Sequence, residues 1–217
     1  MDEQQIDQIK KRLGETLPGS KAQELMMGRV RPMPMAVPAN ARPSAVLCLI
    51  FPLNGEPHIL FMKRRDDNTP HSGQVSFPGG SYEQNDADYR ATALREANEE
   101  VGIMAADVDI LGELTSLYIP VSNFNVYPYV GFAAQRPAYN LSQAEVSYIL
   151  EVPVSELFHP SRKEVTHVTS PAMPDVKLKV NAYVLQDSTI IWGATAMILS
   201  ELEAVLRDAG LLPISSL

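Results

Sequence analysis

One stretch of the chain, residues 77–103, constrains the fold more than any other. It opens with the pair Gly79-Gly80, and glycine allows backbone torsions and close approaches that side chains prevent. Asp86 is predicted to cap a helix, because a carboxylate at a helix start accepts hydrogen bonds from free backbone N–H groups. Good helix formers follow as far as Gly102, a typical C-cap residue. The stretch therefore predicts a glycine turn followed by a helix of about four turns.

The acidic residues of this helix have a spacing that indicates a cation site. Glu96, Glu99 and Glu100 lie three and four residues apart, so their side chains share one face. Like charges on neighbouring turns repel each other by about a few tenths of a kcal/mol per pair. Arg95 offsets part of this repulsion, and a hard divalent cation such as Mg²⁺, which prefers oxygen ligands, would offset the rest. The alternative interpretation is a solvated acidic helix face without a ligand.

The same residues resemble the Nudix box, whose pattern is Gly, five residues, Glu, seven residues, then Arg-Glu-apolar-x-Glu-Glu-x-Gly-apolar. The second half matches without a gap at Arg95, Glu96, Ala97, Glu99, Glu100, Gly102 and Ile103. The first half departs, because Asp86 replaces the Glu and eight residues separate it from Arg95. We therefore expect Asp86 to cap the helix rather than to bind a ligand. The resemblance implies an α/β fold, namely a Nudix-type α/β/α sandwich with a mixed central sheet.

A second pattern, upstream of the box, resembles the coenzyme A pyrophosphatase branch of the Nudix hydrolases. It is Leu-Leu-Thr-x-Arg-(small)-x-x-x-Arg-x-x-x-Gly-x-x-x-Phe-Pro-Gly-Gly, and it falls in register at Leu60, Arg64, Gly73, Phe77, Pro78, Gly79 and Gly80. The departures are Phe61 for Leu, Met62 for Thr, Arg65 for the small residue and Thr69 for the second Arg. The resemblance implies that Arg64, Arg65, Gly79 and Gly80 bind the substrate. An Ile-Trp-Gly-Ala-Thr-Ala stretch at residues 191–196 resembles the same branch.

The resemblance also implies a mechanism. Nudix enzymes hydrolyse a nucleoside diphosphate linked to another group, and a divalent ion, Mg²⁺ or Mn²⁺, neutralises the diphosphate and lowers the pKa of bound water. Glu96 and Glu100 are the expected direct metal ligands, and Glu99 would help to hold a second ion or a water, or act as the base. Arg95 would fix the carboxylates through charge-assisted hydrogen bonds. Glu145 is either a further carboxylate of the site or a surface acid.

The expected substrate is coenzyme A or one of its thioesters, cut to 3′,5′-ADP and 4′-phosphopantetheine. The alternatives are a Nudix pyrophosphatase acting on ADP-ribose or a dinucleotide, a non-catalytic Nudix module that binds a nucleotide, and a structural acidic protein. Retention of Glu96, Glu99 and Glu100 argues against the non-catalytic module.

Composition restricts the partners and the setting. The net charge of −8 argues against nucleic acid, since non-specific binding depends on cations that neutralise phosphates. No run approaches the roughly 20 apolar residues of a membrane span, and no signal peptide is visible. The single Cys48 lies in an apolar run and is predicted to be a buried hydrophobe. We therefore expect a cytoplasmic protein whose partner is a small-molecule nucleotide.

The chain divides, by prediction, at residue 43. Residues 1–43 hold an amphipathic helix over 2–16 and a proline-rich arm over 32–43, and the helix either covers the domain or packs in a homodimer. Residues 44–217 form the Nudix hydrolase domain. Its predicted strands are 44–52, 57–64 (joined to the first by the hairpin turn Asn54-Gly55), 109–117, 126–133, 145–152 (a short strand or turn), 163–169 and 176–185. A helical turn is predicted from residue 153 and a last helix over 190–209.

Overall fold

The computed structural model describes residues 1–28, 35–66, 71–170 and 173–213. The α-helices are α1 (Glu3–Leu13), α2 (Ser20–Glu24), α3 (Tyr89–Val101), α4 (Val154–Leu157) and α5 (Gly193–Asp208). The strands are β1 (Arg42–Leu53), β2 (Glu56–Arg64), β3 (Val75–Ser76), β4 (Gly79–Ser81), β5 (Asp109–Glu113), β6 (Leu117–Ile119), β7 (Phe124–Phe132), β8 (Val146–Pro153), β9 (Lys163–Ser170), β10 (Met173–Val184) and β11 (Ile190–Trp192). The predicted proline-rich arm lies partly outside the described residues, and β1 begins where it ends.

β1 and β2 form a hairpin, as predicted, and lie in the middle of the large sheet. Asn54 and Gly55 both have positive φ angles, 52° and 85°, which a two-residue turn between twisted antiparallel strands requires. The turn pairs Leu53 with Glu56 and fixes the register as far as Ile50. β2 also pairs with β8, and β1 runs parallel to β7. The large sheet is therefore mixed, as expected.

The two central strands separate beyond this hairpin, and a short segment fills the opening. On one side β4 pairs with β1 at Val46 and Gly79, and on the other β3 pairs with β2 at Met62 and Ser76. The backbone N–H of Leu47 completes the junction by donating to the carbonyl of Pro78. The glycine pair is thus inserted into the middle of the sheet, directly under helix α3.

Helices cover both faces of this sheet. Side chains alternate along β1, so Leu47 and Leu49 pack in one core cluster with residues of α3, while Cys48 and Ile50 pack in another with residues of α5. This arrangement confirms the α/β sandwich with a mixed sheet and the burial of Cys48. Beside α5, a second sheet of order β11-β10-β9 contains the predicted hairpin of residues 163–185.

Two predicted elements have different boundaries in the structure. The strand predicted over 109–117 is broken, because Leu114 leaves the ladder and its N–H donates to the carbonyl of Pro128. The last helix begins at Gly193, because residues 190–192 form β11 and pair antiparallel with β10. Ile190 and Ile191 are β-branched and favour a strand, and Gly193 turns the chain with a φ angle of 65°.

The N-terminal segment, residues 14–28, is fastened to the catalytic part of the chain by a buried carboxylate. Glu201 on α5 has no exposed surface. It accepts hydrogen bonds from the N–H of Gly19 at 3.0 Å, from Nε2 of Gln23 at 3.0 Å and from Oγ1 of Thr115 at 2.6 Å. Because each of these partners donates, a side chain with two acceptor oxygens suits this site.

We expect Glu201→Gln to destabilise the protein, since the new amide N–H₂ group would face donors in a buried site. The free energy of unfolding should fall by about 1–3 kcal/mol, measured by urea denaturation. Glu24→Gln, an exposed change in the same segment, is the matched control and should alter stability little. Equal stability of the two variants would show that Glu201 does not anchor the segment.

Candidate active site

The N-cap of helix α3 is a different residue from the one that the sequence predicted. The N-cap is Asp88, whose side chain accepts from the N–H of Ala91 at 2.7 Å. The prediction that Asp86 caps the helix is wrong: Asp86 is buried just before the cap and accepts from Nε of Arg95 at 2.9 Å. The one residue more than the Nudix pattern has between Asp86 and Arg95 is accommodated because Asp86 lies in the turn ahead of the helix. The C-cap Gly102 is confirmed, with a φ angle of 80°.

Arg95 organises the acidic side chains around it. Its Nη2 donates to the carbonyl of Ser81 at 2.8 Å and contacts Glu96 Oε1 at 3.0 Å, and its Nη1 contacts Glu99 Oε2 at 2.9 Å. Its hydrogen bonds to Asp86 lower the pKa of that carboxyl to about 2. Arg95 therefore holds two of the three helix glutamates and ties the preceding loop to the helix.

The glycine pair makes room for the carboxylates. A Cβ atom on Gly79 would lie 2.3 Å from the carbonyl oxygen of Ala45, and one on Gly80 would lie 2.5 Å from Cδ of Glu96. The N–H of Gly79 donates to Glu100 Oε2 at 2.8 Å. The sequence predicts that the glycines admit a ligand. The structure shows that strand β1 and the glutamate side chains already lie in close contact with the glycine backbone.

Glu100 is a buried carboxylate with few donors. Its side chain is 3% exposed. Besides the N–H of Gly79, its other recorded donor is Nη1 of Arg64, at the long distance of 3.4 Å. Burial, with a smaller contribution from the charges of Glu96 and Glu145, outweighs the Gly79 hydrogen bond and the charge of Arg64 and raises the pKa of Glu100 to about 8. Burial likewise raises the pKa of Glu96, with Glu99 and Glu145 adding to the effect.

These carboxylates line a cavity of about 1010 Å³. The part of the lining that we call the polar end of the cavity consists of Arg64, His71, Gly79, Gly80, Glu96, Glu100 and Glu145. Within the described ranges no three acidic, histidine or cysteine side chains are grouped closely enough to form a metal site by themselves. The donor set nevertheless fits a hard cation, since glutamates whose pKa values are raised by burial, and to a smaller extent by one another's charge, are stabilised by positive charge.

Glu145 reaches the cavity from the loop before β8. The N–H of Arg65 donates to the carbonyl of Glu145 at 2.9 Å, and the guanidinium of Arg65 donates to the carbonyl of Gln143. Arg65 is itself exposed, so its recorded contacts hold the loop that carries Glu145. Glu99 is also largely exposed, at 57% of its side chain, and lies at the rim beside Arg95.

Three polar atoms on the cavity wall point to a ligand that carries further oxygens. Nε of Arg64, Oγ of Ser76 and Oγ of Ser122 are buried, and none has a hydrogen-bond partner in the described structure. All three residues line the cavity. Buried polar atoms are normally paired, so a bound anion with acceptor oxygens would complete them. Sequence reasoning found Arg64 but missed Ser76, because a serine in a short strand gives no signal of its own.

The same cavity is also lined by apolar side chains, and we call the part that they line the apolar chamber. These side chains include Met26, Leu117, Ile119, Val180, Met197 and Ile198. The chamber was not predicted, because its residues come from the N-terminal segment, β6, β10 and α5, which are distant in sequence.

We expect the stability of the metal-free protein to fall as pH rises from about 5 to 8. The folded state keeps the proton of Glu100 up to a pKa of about 8, whereas an unfolded chain releases it near pH 4.3. Folding therefore binds a proton across this window, and the free energy of unfolding should drop by up to about 1.4 kcal/mol per pH unit. Denaturation in chelator should show this slope, and Glu100→Gln should remove it.

Glu99→Gln is the control for this measurement, because it changes an exposed acid on the same helix. It should keep the slope of the wild type. A slope unaffected by Glu100→Gln would mean that Glu100 does not hold the proton.

The chain is similar to known proteins over most of its length. Residues 41–182 match the family model of the NUDIX domain. A protein of Yersinia enterocolitica named as an uncharacterized Nudix hydrolase, NudL, is 35% identical over 172 residues, covering 79% of this chain and 85% of its own. A NudL of Enterobacter is 36% identical over 165 residues, covering 75% and 82%. The solved Nudix hydrolase RenU of M. smegmatis is 13% identical and covers 81% of this chain and 90% of its own, with a TM-score of 0.49. From the matched domain and these relatives, the chain belongs to the Nudix hydrolase family.

Proposed function

We propose that this Nudix hydrolase cuts the diphosphate of coenzyme A, or of its thioesters, to 3′,5′-ADP and 4′-phosphopantetheine. The observation that carries the proposal is that one cavity is lined both by the carboxylates and by the residues of the apolar chamber. Coenzyme A has the same division, with a charged nucleotide diphosphate joined to a long uncharged arm. The register of Leu60–Gly80 with the coenzyme A pattern supports the same substrate.

Glu96, Glu100 and Glu145 would hold the metal ion, Mg²⁺ or Mn²⁺, because they line the polar end of the cavity together. The bound ion would neutralise the diphosphate and activate a water. Arg95 keeps the carboxylate of Glu96 in place through its contact at 3.0 Å. Glu99 is proposed to help hold a second ion or to take the proton of the attacking water, since it reaches solvent at the rim.

Arg64 is the proposed phosphate-binding cation. Within the described ranges its Nε has no partner and its Nη1 contacts Glu100 at 3.4 Å, which leaves donor capacity for a substrate oxygen. Gly79 and Gly80 line the same wall and let the diphosphate approach the backbone. Arg65 is proposed to act on the substrate indirectly, by holding the loop that carries Glu145.

We also propose a cytoplasmic setting and a homodimer. Cys48 is free and buried, which suits a reducing compartment. Among the helices that the structure describes, none is long and apolar enough to cross a membrane. Light scattering coupled to size-exclusion chromatography would decide between one and two copies of the chain.

The direct test incubates the protein with Mg²⁺ and coenzyme A and follows 4′-phosphopantetheine by mass spectrometry. We expect this product, and we expect Glu100→Gln to lower kcat by about 100-fold or more, because a lost metal ligand removes several kcal/mol of stabilisation. Glu83→Gln, an exposed acid in the loop before α3, is the control and should keep activity. Circular dichroism should show both variants folded.

Three outcomes would contradict the proposal in different ways. Turnover of ADP-ribose or a dinucleotide without turnover of coenzyme A would assign the chain to another Nudix activity. Nucleotide binding without turnover at any metal concentration would identify a binding module. Full activity of Glu100→Gln would show that the metal ligands are wrong.

We further expect Gly80→Ala to impair catalysis while leaving the fold intact. The added methyl would lie 2.5 Å from Cδ of Glu96, so the carboxylate must move, and misplacement by about 1 Å can cost roughly 100-fold in rate. Steady-state kinetics should show a lower kcat. Gly14→Ala is the control, because its added Cβ would meet nothing closer than 3.4 Å. Equal activity of the two variants would show that the position of Glu96 is not critical.

A further inference from the structure

The N-terminal segment supplies part of the wall of the apolar chamber. Met26 and Gly28 line the cavity, facing the β10 residues Leu178 and Val180. Met26 is only 3% exposed, so its side chain is enclosed between the segment and the core. The family-model match begins at residue 41, so Met26 and Gly28 lie before the matched domain.

The segment is held in place on two sides. The buried carboxylate of Glu201 binds Gly19 and Gln23. On the other side, Nδ2 of Asn181 donates to the carbonyl of Leu25 at 3.0 Å and to that of Met27 at 3.3 Å. These bonds hold the residues on either side of Met26, so Met26 has a defined position in the wall of the chamber.

The chemistry of the chamber restricts what it can bind. Its methionine, leucine, isoleucine and valine side chains offer dispersion contacts, and methionine adapts to irregular apolar shapes. The chamber and the carboxylates line one cavity. A ligand that contacts both therefore carries an anionic group and a nonpolar group on one molecule.

We propose that Met26 closes an acyl-binding chamber, and that the N-terminal segment thereby makes the protein select thioesters of coenzyme A over the free thiol. This inference rests on the proposed function. The acyl group is the part of such a substrate that is nonpolar and farthest from the diphosphate. Each methylene that enters the chamber should raise kcat/KM by about fourfold, the ratio that corresponds to transfer of one buried CH₂, until Met26 blocks further entry.

The test measures kcat/KM for free, acetyl, butyryl, hexanoyl, octanoyl and decanoyl coenzyme A. For each variant, every kcat/KM value is divided by the value for free coenzyme A. The ratio cancels differences between variants in the folded fraction and in how they bind the diphosphate. The wild type should show a rise that stops at a defined chain length. Met26→Ala should move this limit to longer chains by about two to three methylenes, the length of side chain removed, and Met26→Phe should move it to shorter ones.

Leu13→Ala is the matched control. Leu13 is another buried residue of the N-terminal region, packs against Gly112 and is not among the residues that line the cavity. Its removal should cost stability without shifting the chain-length limit. A limit shifted equally by Leu13→Ala and Met26→Ala would overturn the role of Met26.

The failure of this inference can be told apart from failure of the proposed function. Turnover of coenzyme A with the same kcat/KM for every thioester would overturn the acyl chamber and leave the function standing. Absence of turnover for coenzyme A and all its thioesters would overturn both.

Discussion

The dominant constraint on this structure is the mutual repulsion of carboxylates that lie close together at one corner of the sheet. Glu100 is buried between the backbone of Gly79 and a distant guanidinium, with Glu96 and Glu145 as like-charged neighbours. An isolated charge in such a place is costly. The two arginines nearby do not balance it, because Arg64 lies 3.4 Å from Glu100 and Arg95 is already paired with Asp86. In the proposed function a divalent ion balances the charge of this corner.

The scaffold serves this crowding in several ways. The separation of β1 from β2 opens the sheet, and the segment of β3 and β4 enters the opening with its glycine pair. Because Gly79 and Gly80 have no side chains, α3 can lie close enough for Glu96 and Glu100 to touch the strand. Arg95 then fixes the orientation of the outer carboxylates. Stability and site geometry therefore compete at the same residues, as is common where charged groups are held ready for a ligand.

Local signals in the sequence predicted the elements that depend on local physics. The Asn54-Gly55 turn, the apolar run of β1 and the Gly102 cap each have a short-range cause, and each is present. The cap was misassigned because Asp86 and Asp88 are both good N-cap residues, and only the contact of Asp86 with Arg95 separates their roles. The anchoring of the N-terminal segment by Glu201 could not be predicted, since its partners lie 86 to 182 residues away. The apolar chamber escaped prediction for the same reason.

The central claim is that a cation completes this group of acids. The most direct measurement is anomalous diffraction from a crystal soaked with Mn²⁺ and a non-hydrolysable diphosphate analogue. The account predicts an anomalous peak within ligand distance of Glu96 and Glu100, with the analogue's phosphate oxygens completing the coordination and Arg64 in contact with them. A peak remote from these glutamates, or none while the analogue is bound, would contradict it.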